Sequence, residues 1–273
     1  MKRNKGKVIK AVGSLFAALG VVFAAMSYAA AKKKGDSVYE DMPEEKNPGA
    51  VVKETEESFY DRRVKRAFDR ILSFGGLVVL CPLYGLISLA IYIDNPGPVL
   101  FTQKRVGKNR EYFKLHKFRS MKMSTPHDTP THLLEHPEQY ITNVGKFLRK
   151  YSLDELPQIW DIFIGNMSII GPRPALWNQE DLVEEREKYG ANDVRPGLTG
   201  WAQINGRDEL EIQEKAKLDG EYVRKESFWF DLKCFLGTIK SVMKHDGVVE
   251  GGTGEMYKAH SQKAAGKKYL RIR

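Results

Sequence analysis

The chain has 273 residues, enough for one domain with extensions, and 42% of its residues are hydrophobic. The formal net charge of +9 predicts an anionic partner, which is nucleic acid, an anionic membrane surface or a phosphorylated substrate. Two cysteines in a chain of this length exclude a disulfide-rich secreted scaffold and are typical of a reducing compartment.

The N-terminal 34 residues predict a membrane segment with basic flanks. Residues 11–31 carry no charge, and a helix of that length crosses about 30 Å of hydrocarbon. A retained anchor and a cleaved signal peptide both fit the run, and the three lysines directly after it favour the anchor. Residues 35–61 then carry nine acids against two lysines, which is typical of a solvated linker.

A second apolar run extends from Ile71 to Ile93 and has Pro82 at its midpoint. An interior proline removes a helix hydrogen bond and kinks the chain. In one interpretation each arm covers about half of the hydrocarbon thickness, so that the segment enters and leaves by the same face. In the other, a single kinked helix spans the membrane. Cations near both ends suit re-entry, but the pattern leaves both open.

Beyond residue 94 the sequence predicts an α-rich α+β domain. Turn residues at 94–98 (DNPGP) and 107–109 (GKN) separate the first elements. Residues 228–243 are apolar with basic flanks and fit either an interfacial amphipathic helix or a helix packed on the domain core. The predicted strands are 99–103 and 112–118, the predicted helices are 153–164, 176–189 and 209–246, and 195–206 is a predicted Gly-rich loop.

The candidate catalytic residues are Asp154 and Glu155. Ser152 and Glu155 have the spacing of a capping box, which predicts a helix start. Acids in a first helical turn are favoured by the helix dipole and need no function. The same geometry also presents free N–H groups to a phosphate, while one carboxylate faces the phosphorus and the other holds Mg²⁺. An aspartate can further act as a nucleophile at phosphorus.

Three arginines near Gly/Pro breaks strengthen the phosphate interpretation. Arg149 lies five residues before Asp154, Arg173 stands between two prolines, and Arg195 precedes Pro196. The planar guanidinium group binds two phosphate oxygens at once. We therefore expect these side chains to contact an anionic substrate.

An ordered set of motifs runs through residues 65–250, and with them the chain resembles the bacterial sugar transferase family, the monotopic polyprenyl-phosphate phosphoglycosyl transferases. The order of the motifs, more than any one of them, carries the resemblance. The motifs are 65–69 (KRAFD), 101–107 (FTQKRVG), 117–121 (KFRSM), 148–158 (LRKYSLDELPQ), 171–174 (GPRP), 195–200 (RPGLTG), 218–219 (LD) and 231–233 (DLK).

The resemblance implies a reaction. Asp154 would attack a UDP-sugar and release UMP, and polyprenyl (undecaprenyl) phosphate would take the phosphosugar from the aspartate. Glu155 would bind Mg²⁺, and Arg149 and Arg173 would contact phosphate. Other candidate substrate-binding residues lie in the matched motifs: Gln103, Arg105, Lys117, Arg119, Arg195, Asp219 and Asp231.

The resemblance also implies a location and a domain plan. It favours re-entry at Pro82 and a catalytic part on the cytoplasmic face of the bacterial inner membrane, among membrane lipids and without nucleic acid. The expected domains are the segment 1–34, the linker 35–61, a transferase domain 62–250 with its re-entrant helix at 65–93 and catalytic part at 94–250, and a basic tail 251–273. The additional N-terminal run departs from the minimal family core, and a homo-oligomer is compatible with the sequence.

Two other functions fit parts of the sequence. A glycosyl transferase that moves only the sugar onto polyprenyl phosphate would release UDP and need no covalent aspartate. A non-catalytic protein binding anionic lipids through its basic segments would not need Asp154 or Glu155, and salt would weaken its binding steeply.

Overall fold

The computed structural model describes residues 58–125, 137–206 and 210–244, with the side chains of 242–244 left out. The predicted N-terminal membrane segment, most of the acidic linker and the basic tail lie outside these residues.

The described part is rich in helix and has few, short strands, as the sequence predicts. A π-helical turn, Tyr60–Lys65, leads into the first helix, and short 3₁₀ turns lie at Lys108–Arg110, Pro137–Gln139 and Leu153–Glu155. The helices are α1 Arg66–Asp94, α2 Asn143–Lys150, α3 Gln158–Ile164, α4 Glu180–Glu187, α5 Trp201–Ile204, α6 Ile212–Lys225 and α7 Phe228–Lys244. The strands are β1 Leu100–Val106, β2 Tyr112–Phe118, β3 Ser168–Ile170 and β4 Gly197–Thr199.

Helix α1 is long and apolar enough to cross a membrane by length and composition. The helix continues through Pro82, so the proline does not divide it into two separate helices. Large apolar side chains along it are exposed, including Ile71, Val79 and Leu86 at 69%, 71% and 66%. Such a surface is costly in water and suits contact with lipid or another apolar partner.

The polar residues of α1 attach it to the rest of the domain. Asp69 accepts a hydrogen bond from the Ile169 backbone N–H at 3.0 Å, and Asp94 accepts one from the Val144 N–H at 2.9 Å. The second bond satisfies a free donor in the first turn of α2, where side-chain acceptors are favoured. The apolar helix is therefore joined directly to β3 and α2.

The two strands predicted on either side of the 107–109 turn are present as β1 and β2, and they pair as an antiparallel hairpin. Phe101 pairs with Lys117, Gln103 with Leu115, and Arg105 with Phe113. Opposite residues in an antiparallel pair point to the same face of the sheet, and side chains alternate along a strand. The register therefore places Gln103, Arg105 and Lys117 on one face of the hairpin.

Strands β3 and β4 pair in parallel and bring two of the Gly/Pro motifs together. The Gly171 N–H donates to the Thr199 carbonyl at 2.8 Å, and the Gly197 N–H donates to the Pro172 carbonyl at 2.8 Å. A Cβ atom on Gly171 would lie 2.5 Å from the Arg195 carbonyl oxygen, which leaves no room for a side chain. The backbone contact fixes the loop that carries Arg173.

The predicted boundaries need three corrections after residue 170. The predicted loop 195–206 contains β4 and α5, because its glycines allow close backbone pairing with the 171–174 loop. The helix predicted at 176–189 covers only Glu180–Glu187 and is not wholly exposed, since it buries Leu182 and Val183. The single helix predicted at 209–246 is two helices, α6 and α7, separated at residues 226–227.

Helix α7 has two distinct faces. Asp231 and Cys234 are buried against the domain. The exposed apolar side chains of the helix form a stripe with helical spacing, which is the pattern of an amphipathic helix. They are Phe228, Trp229, Leu232, Phe235, Leu236 and Ile239.

The close backbone contact at Gly171 predicts a large effect of a small substitution. Gly171→Ala should destabilise the protein by about 1–3 kcal/mol, because the added methyl group overpacks a rigid backbone contact. The matched control is Gly75→Ala, since no atom lies within 4 Å of a Cβ at that position. Thermal unfolding in one lipid or detergent should show a lower midpoint for the first variant only, and equal midpoints would contradict the packing described.

Candidate active site

The turn that carries Asp154 and Glu155 is held by tertiary contacts. Leu153–Glu155 is a single 3₁₀ turn, and α3 begins only at Gln158. Ser152 lies in the left-handed region at φ 54° and makes no side-chain capping bond, so the predicted capping box is wrong. The physical reason is that cations from other segments bind the Glu155 carboxylate, which therefore does not return to the backbone of Ser152.

Glu155 lies between two cationic side chains. Its Oε1 accepts from Lys117 Nζ at 2.9 Å and from Arg173 Nη2 at 2.7 Å. Its Oε2 has a longer contact of 3.4 Å with Arg173 Nη1. The carboxylate thus joins β2, the 3₁₀ turn and the loop after β3 at one point.

Charge decides the protonation state of Glu155. Burial opposes ionisation, but the charges and hydrogen bonds of Arg173 and Lys117 outweigh it and hold the pKa of Glu155 well below its ordinary value. Burial lowers the pKa of Lys117, an effect that Glu155 partly offsets. The group therefore contains a fixed carboxylate between two cations.

Asp154 differs from its neighbour. Within residues 58–125, 137–206 and 210–244, no other side chain bonds its carboxylate, which accepts a hydrogen bond from its own backbone N–H. Burial raises the pKa of Asp154, and the charge of Glu155 raises it further, while the nearby Lys117 and Arg149 and the backbone hydrogen bond lower it in part. A more basic carboxylate that is not tied to another side chain has the properties of a nucleophile.

Three other predicted residues lie close to this group. Arg149, near the end of α2, is close enough to Asp154 to affect its pKa, and its buried Nη1 has no hydrogen-bond partner among the described residues. Arg105 lowers the pKa of Lys117 and donates to the Pro174 carbonyl at 2.9 Å and to Gln103 Oε1 at 2.7 Å. The structure therefore gathers Arg149, Arg105 and Gln103 around the Asp154–Glu155 turn.

Four predicted residues have their contacts elsewhere. Arg195 Nη1 lies 3.7 Å from Asp61 Oδ2. Arg119 donates to the Asn95 carbonyl, at the junction that follows α1. Asp219 is fully buried, and its Oδ2 accepts from Arg186 Nη2 at 2.6 Å.

The fourth, Asp231, belongs to a buried polar cluster beneath α7. Its Oδ1 accepts from Tyr222 at 2.7 Å, its Oδ2 accepts from Tyr60 at 2.8 Å, and Lys65 Nζ lies 3.2 Å from it. Lys65 also donates to Glu226 Oε1 at 2.7 Å. The cluster joins the residues before α1 to α6 and α7, so Asp231 contributes to the attachment of the apolar helix.

Sequence reasoning missed a pair formed by His116 and a buried aspartate beside the site. Asp161 on α3 is fully buried and accepts from the His116 backbone N–H at 2.9 Å, while His116 Nδ1 lies 2.7 Å from its other oxygen. His116 directly precedes Lys117 on β2. Asp161 therefore fixes the strand that presents Lys117, and no local spacing in the sequence signals a contact across 45 residues.

The donor set fits a magnesium ion shared with a substrate. Mg²⁺ is usually held by one or two carboxylates together with substrate phosphates and water. Glu155 Oε2 has only the 3.4 Å contact with Arg173 Nη1. Glu155 would supply the protein ligand.

The comparisons with known proteins identify the family. The family model described as "Bacterial sugar transferase" matches residues 60–245, which include every site residue named above. The chain belongs to the bacterial sugar transferase family.

Two relatives are each 42% identical to this chain over the aligned residues. The chain is 42% identical over 193 residues to the undecaprenyl-phosphate glucose phosphotransferase of Komagataeibacter xylinus, an alignment that covers 67% of this chain and 36% of that protein. It is 42% identical over 199 residues to the UDP-glucose:undecaprenyl-phosphate glucose-1-phosphate transferase of Escherichia coli, covering 70% and 43%.

A shorter relative matches over nearly its whole length. The exopolysaccharide production protein PSS of Rhizobium leguminosarum is 37% identical over 193 residues, covering 66% of this chain and 96% of that protein. The chain thus spans less than half the length of the first two relatives and almost all of the third. The shared part of this sugar transferase family is the part that contains the Asp154–Glu155 turn.

The Arg186–Asp219 pair predicts a structural effect of Asp219. Asp219→Asn should cost about 3 kcal/mol of stability, because it leaves a buried arginine without its counter-ion. The matched control is Glu221→Gln on the same helix, where the exposed pair with Lys225 should be worth about 0.5 kcal/mol or less. Chemical unfolding measures the difference, and unchanged stability with weakened donor binding would instead make Asp219 a ligand residue.

Proposed function

We propose that this chain transfers a phosphosugar from a UDP-sugar to polyprenyl phosphate, releasing UMP and forming a polyprenyl-diphosphate sugar. The relatives' names support this reaction class, since two of them are sugar-phosphate transferases acting on undecaprenyl phosphate. The single observation that carries the proposal is the pair of neighbouring carboxylates with opposite properties. Glu155 is fixed by two cations, and Asp154 is basic and unengaged by side chains.

The proposed mechanism has two displacements at one phosphorus atom. An Asp154 oxygen attacks the phosphorus that bears the sugar, and the bond to the bridging oxygen breaks so that UMP leaves with that oxygen. A phosphate oxygen of the polyprenyl acceptor then attacks the same phosphorus, and the aspartyl–phosphorus bond breaks. The carboxylate is regenerated, so one pocket processes both bulky phosphates in turn.

The surrounding cations suit the charges of this reaction. Arg173 is only partly buried, with 39% of its side chain exposed, so its guanidinium is reachable by a substrate phosphate. The unpartnered Nη1 of Arg149 beside Asp154 offers a second donor. Preorganised donors of this kind stabilise charge that develops in a transition state. Bound Mg²⁺, held by Glu155, would neutralise part of the diphosphate charge.

The acceptor cannot leave the bilayer, so the active site must lie at its surface. The exposed apolar side chains of α1 and the exposed apolar stripe of α7, which precede and follow the catalytic segments in sequence, support membrane contact. We propose that α1, although helical throughout, bends at Pro82 so that it enters and leaves the membrane by the same face, and that the catalytic part, residues 94–250, lies on the cytoplasmic face of the bacterial inner membrane. UDP-sugars are then available to Asp154.

The identity of the released nucleotide tests the reaction. Full-length protein in nanodiscs with Mg²⁺, undecaprenyl phosphate and a panel of UDP-sugars should release UMP with at least one donor. Asp154→Asn should abolish that release, whereas Asp181→Asn, a change at an exposed acid of α4, should not alter it. Release of UDP would replace the proposal with sugar-only transfer. If the Asp154→Asn variant were active, Asp154 would not be the nucleophile.

The dependence of activity on Mg²⁺ concentration tests whether Glu155 is a metal ligand. Glu155→Gln should raise the Mg²⁺ concentration for half-maximal activity by roughly tenfold or more, because the variant loses one anionic ligand. The rate alone does not decide the role, since the substitution also releases Lys117 and Arg173. Glu184→Gln on the exposed side of α4 is the control. A metal titration of Glu155→Gln identical to that of the control would exclude Glu155 as a ligand.

A further inference from the structure

The apolar stretch of α1 carries four side-chain hydroxyl groups, and Tyr84 differs from the other three. Ser73 and Ser88 each donate to a carbonyl oxygen one turn earlier in the same helix, at 2.5 and 2.6 Å. Tyr92 is 51% exposed. The Tyr84 hydroxyl instead bonds to an acceptor outside the helix, since it donates to the Leu156 carbonyl oxygen at 2.6 Å.

The acceptor of this bond lies in the short connection between the catalytic turn and α3. Leu156 directly follows Glu155 and precedes a proline, which has no N–H to donate. The Leu156 carbonyl also accepts from the Ile159 N–H at 3.0 Å. Two donors therefore occupy the two lone pairs of one carbonyl oxygen. They fix the orientation of the Leu156–Pro157 peptide unit, which begins one residue after Glu155.

The ring of Tyr84 packs against the strand that carries Lys117, one of the two cations bound to Glu155. Its centroid lies 5.5 Å from that of Phe118, with the planes tilted by 49°, and both residues are buried. Such a tilted arrangement is favourable for aromatic rings. Phe118 directly follows Lys117, the residue that donates to Glu155. Tyr84 therefore packs against the residue after Lys117 and bonds to the residue after Glu155.

We propose that Tyr84 is a positioning residue, which sets the Asp154–Glu155 turn from within the membrane helix. It lies two residues after Pro82, in the part of α1 that also lies against lipid in the proposed function, on which this inference rests. The hydroxyl group fixes the backbone of the turn, and the ring fixes the strand that carries Lys117. Loss of the hydroxyl should leave substrate contacts intact and misplace the nucleophile.

The test compares two tyrosines of the same helix in full-length protein in nanodiscs. Tyr84→Phe keeps the ring and its contact with Phe118 and removes only the hydroxyl. Tyr92→Phe makes the same change at an exposed position. Tyr84→Phe should lower kcat about tenfold with the KM for the UDP-sugar unchanged, because a misplaced nucleophile affects the transition state and not donor binding. The acceptor-free burst of UMP should slow by the same factor.

The alternatives give different results. Equal kcat values for the two variants would overturn the proposal. So would a lower unfolding temperature of Tyr84→Phe with unchanged kcat, which is the effect of packing alone, or a raised KM with unchanged kcat. If the unmodified protein released no UMP, both the proposed function and this inference would be contradicted. That result is obtained before any variant is compared.

Discussion

The double ion pair of Glu155 with Lys117 and Arg173 is the interaction on which the site depends. It joins a strand, a turn and a loop that are distant in sequence, at N–O distances of 2.9 and 2.7 Å. A carboxylate that is largely buried needs such partners to remain ionised. Because Lys117 and Arg173 bind Glu155, Asp154 is the more basic acid and no other described side chain bonds it, so the ion pair also separates the roles of the two acids.

The supports of this ion pair are themselves distributed over the fold. Asp161 holds the strand that presents Lys117, and the backbone pairing at Gly171 holds the loop that presents Arg173. Tyr84 and Asp94 attach the apolar helix to the turn and to α2. The membrane-facing helix and the reactive carboxylates therefore belong to one packed unit, which suits a reaction between a water-soluble donor and a lipid acceptor.

Local patterns in the sequence predicted much of this arrangement, but not the long-range partners. The turn residues at 107–109 predicted two short strands, and the register observed in the structure groups Gln103, Arg105 and Lys117. The capping box at Ser152 was wrong because cations from β2 and the 171–174 loop bind Glu155, and no local rule includes them. Asp219 was predicted to contact substrate, although the structure pairs it with Arg186. The contact of Tyr84 with Leu156 was likewise invisible in an apolar run.

The central claim is that Asp154 carries the phosphosugar, and peptide mapping by mass spectrometry tests it most directly. The protein is incubated with a UDP-sugar and Mg²⁺ without acceptor, quenched and digested. The account predicts a phosphosugar on the peptide containing Asp154, attached to that residue and lost when polyprenyl phosphate is added. An unmodified peptide despite UMP release, or a modification attached to another residue, would contradict it.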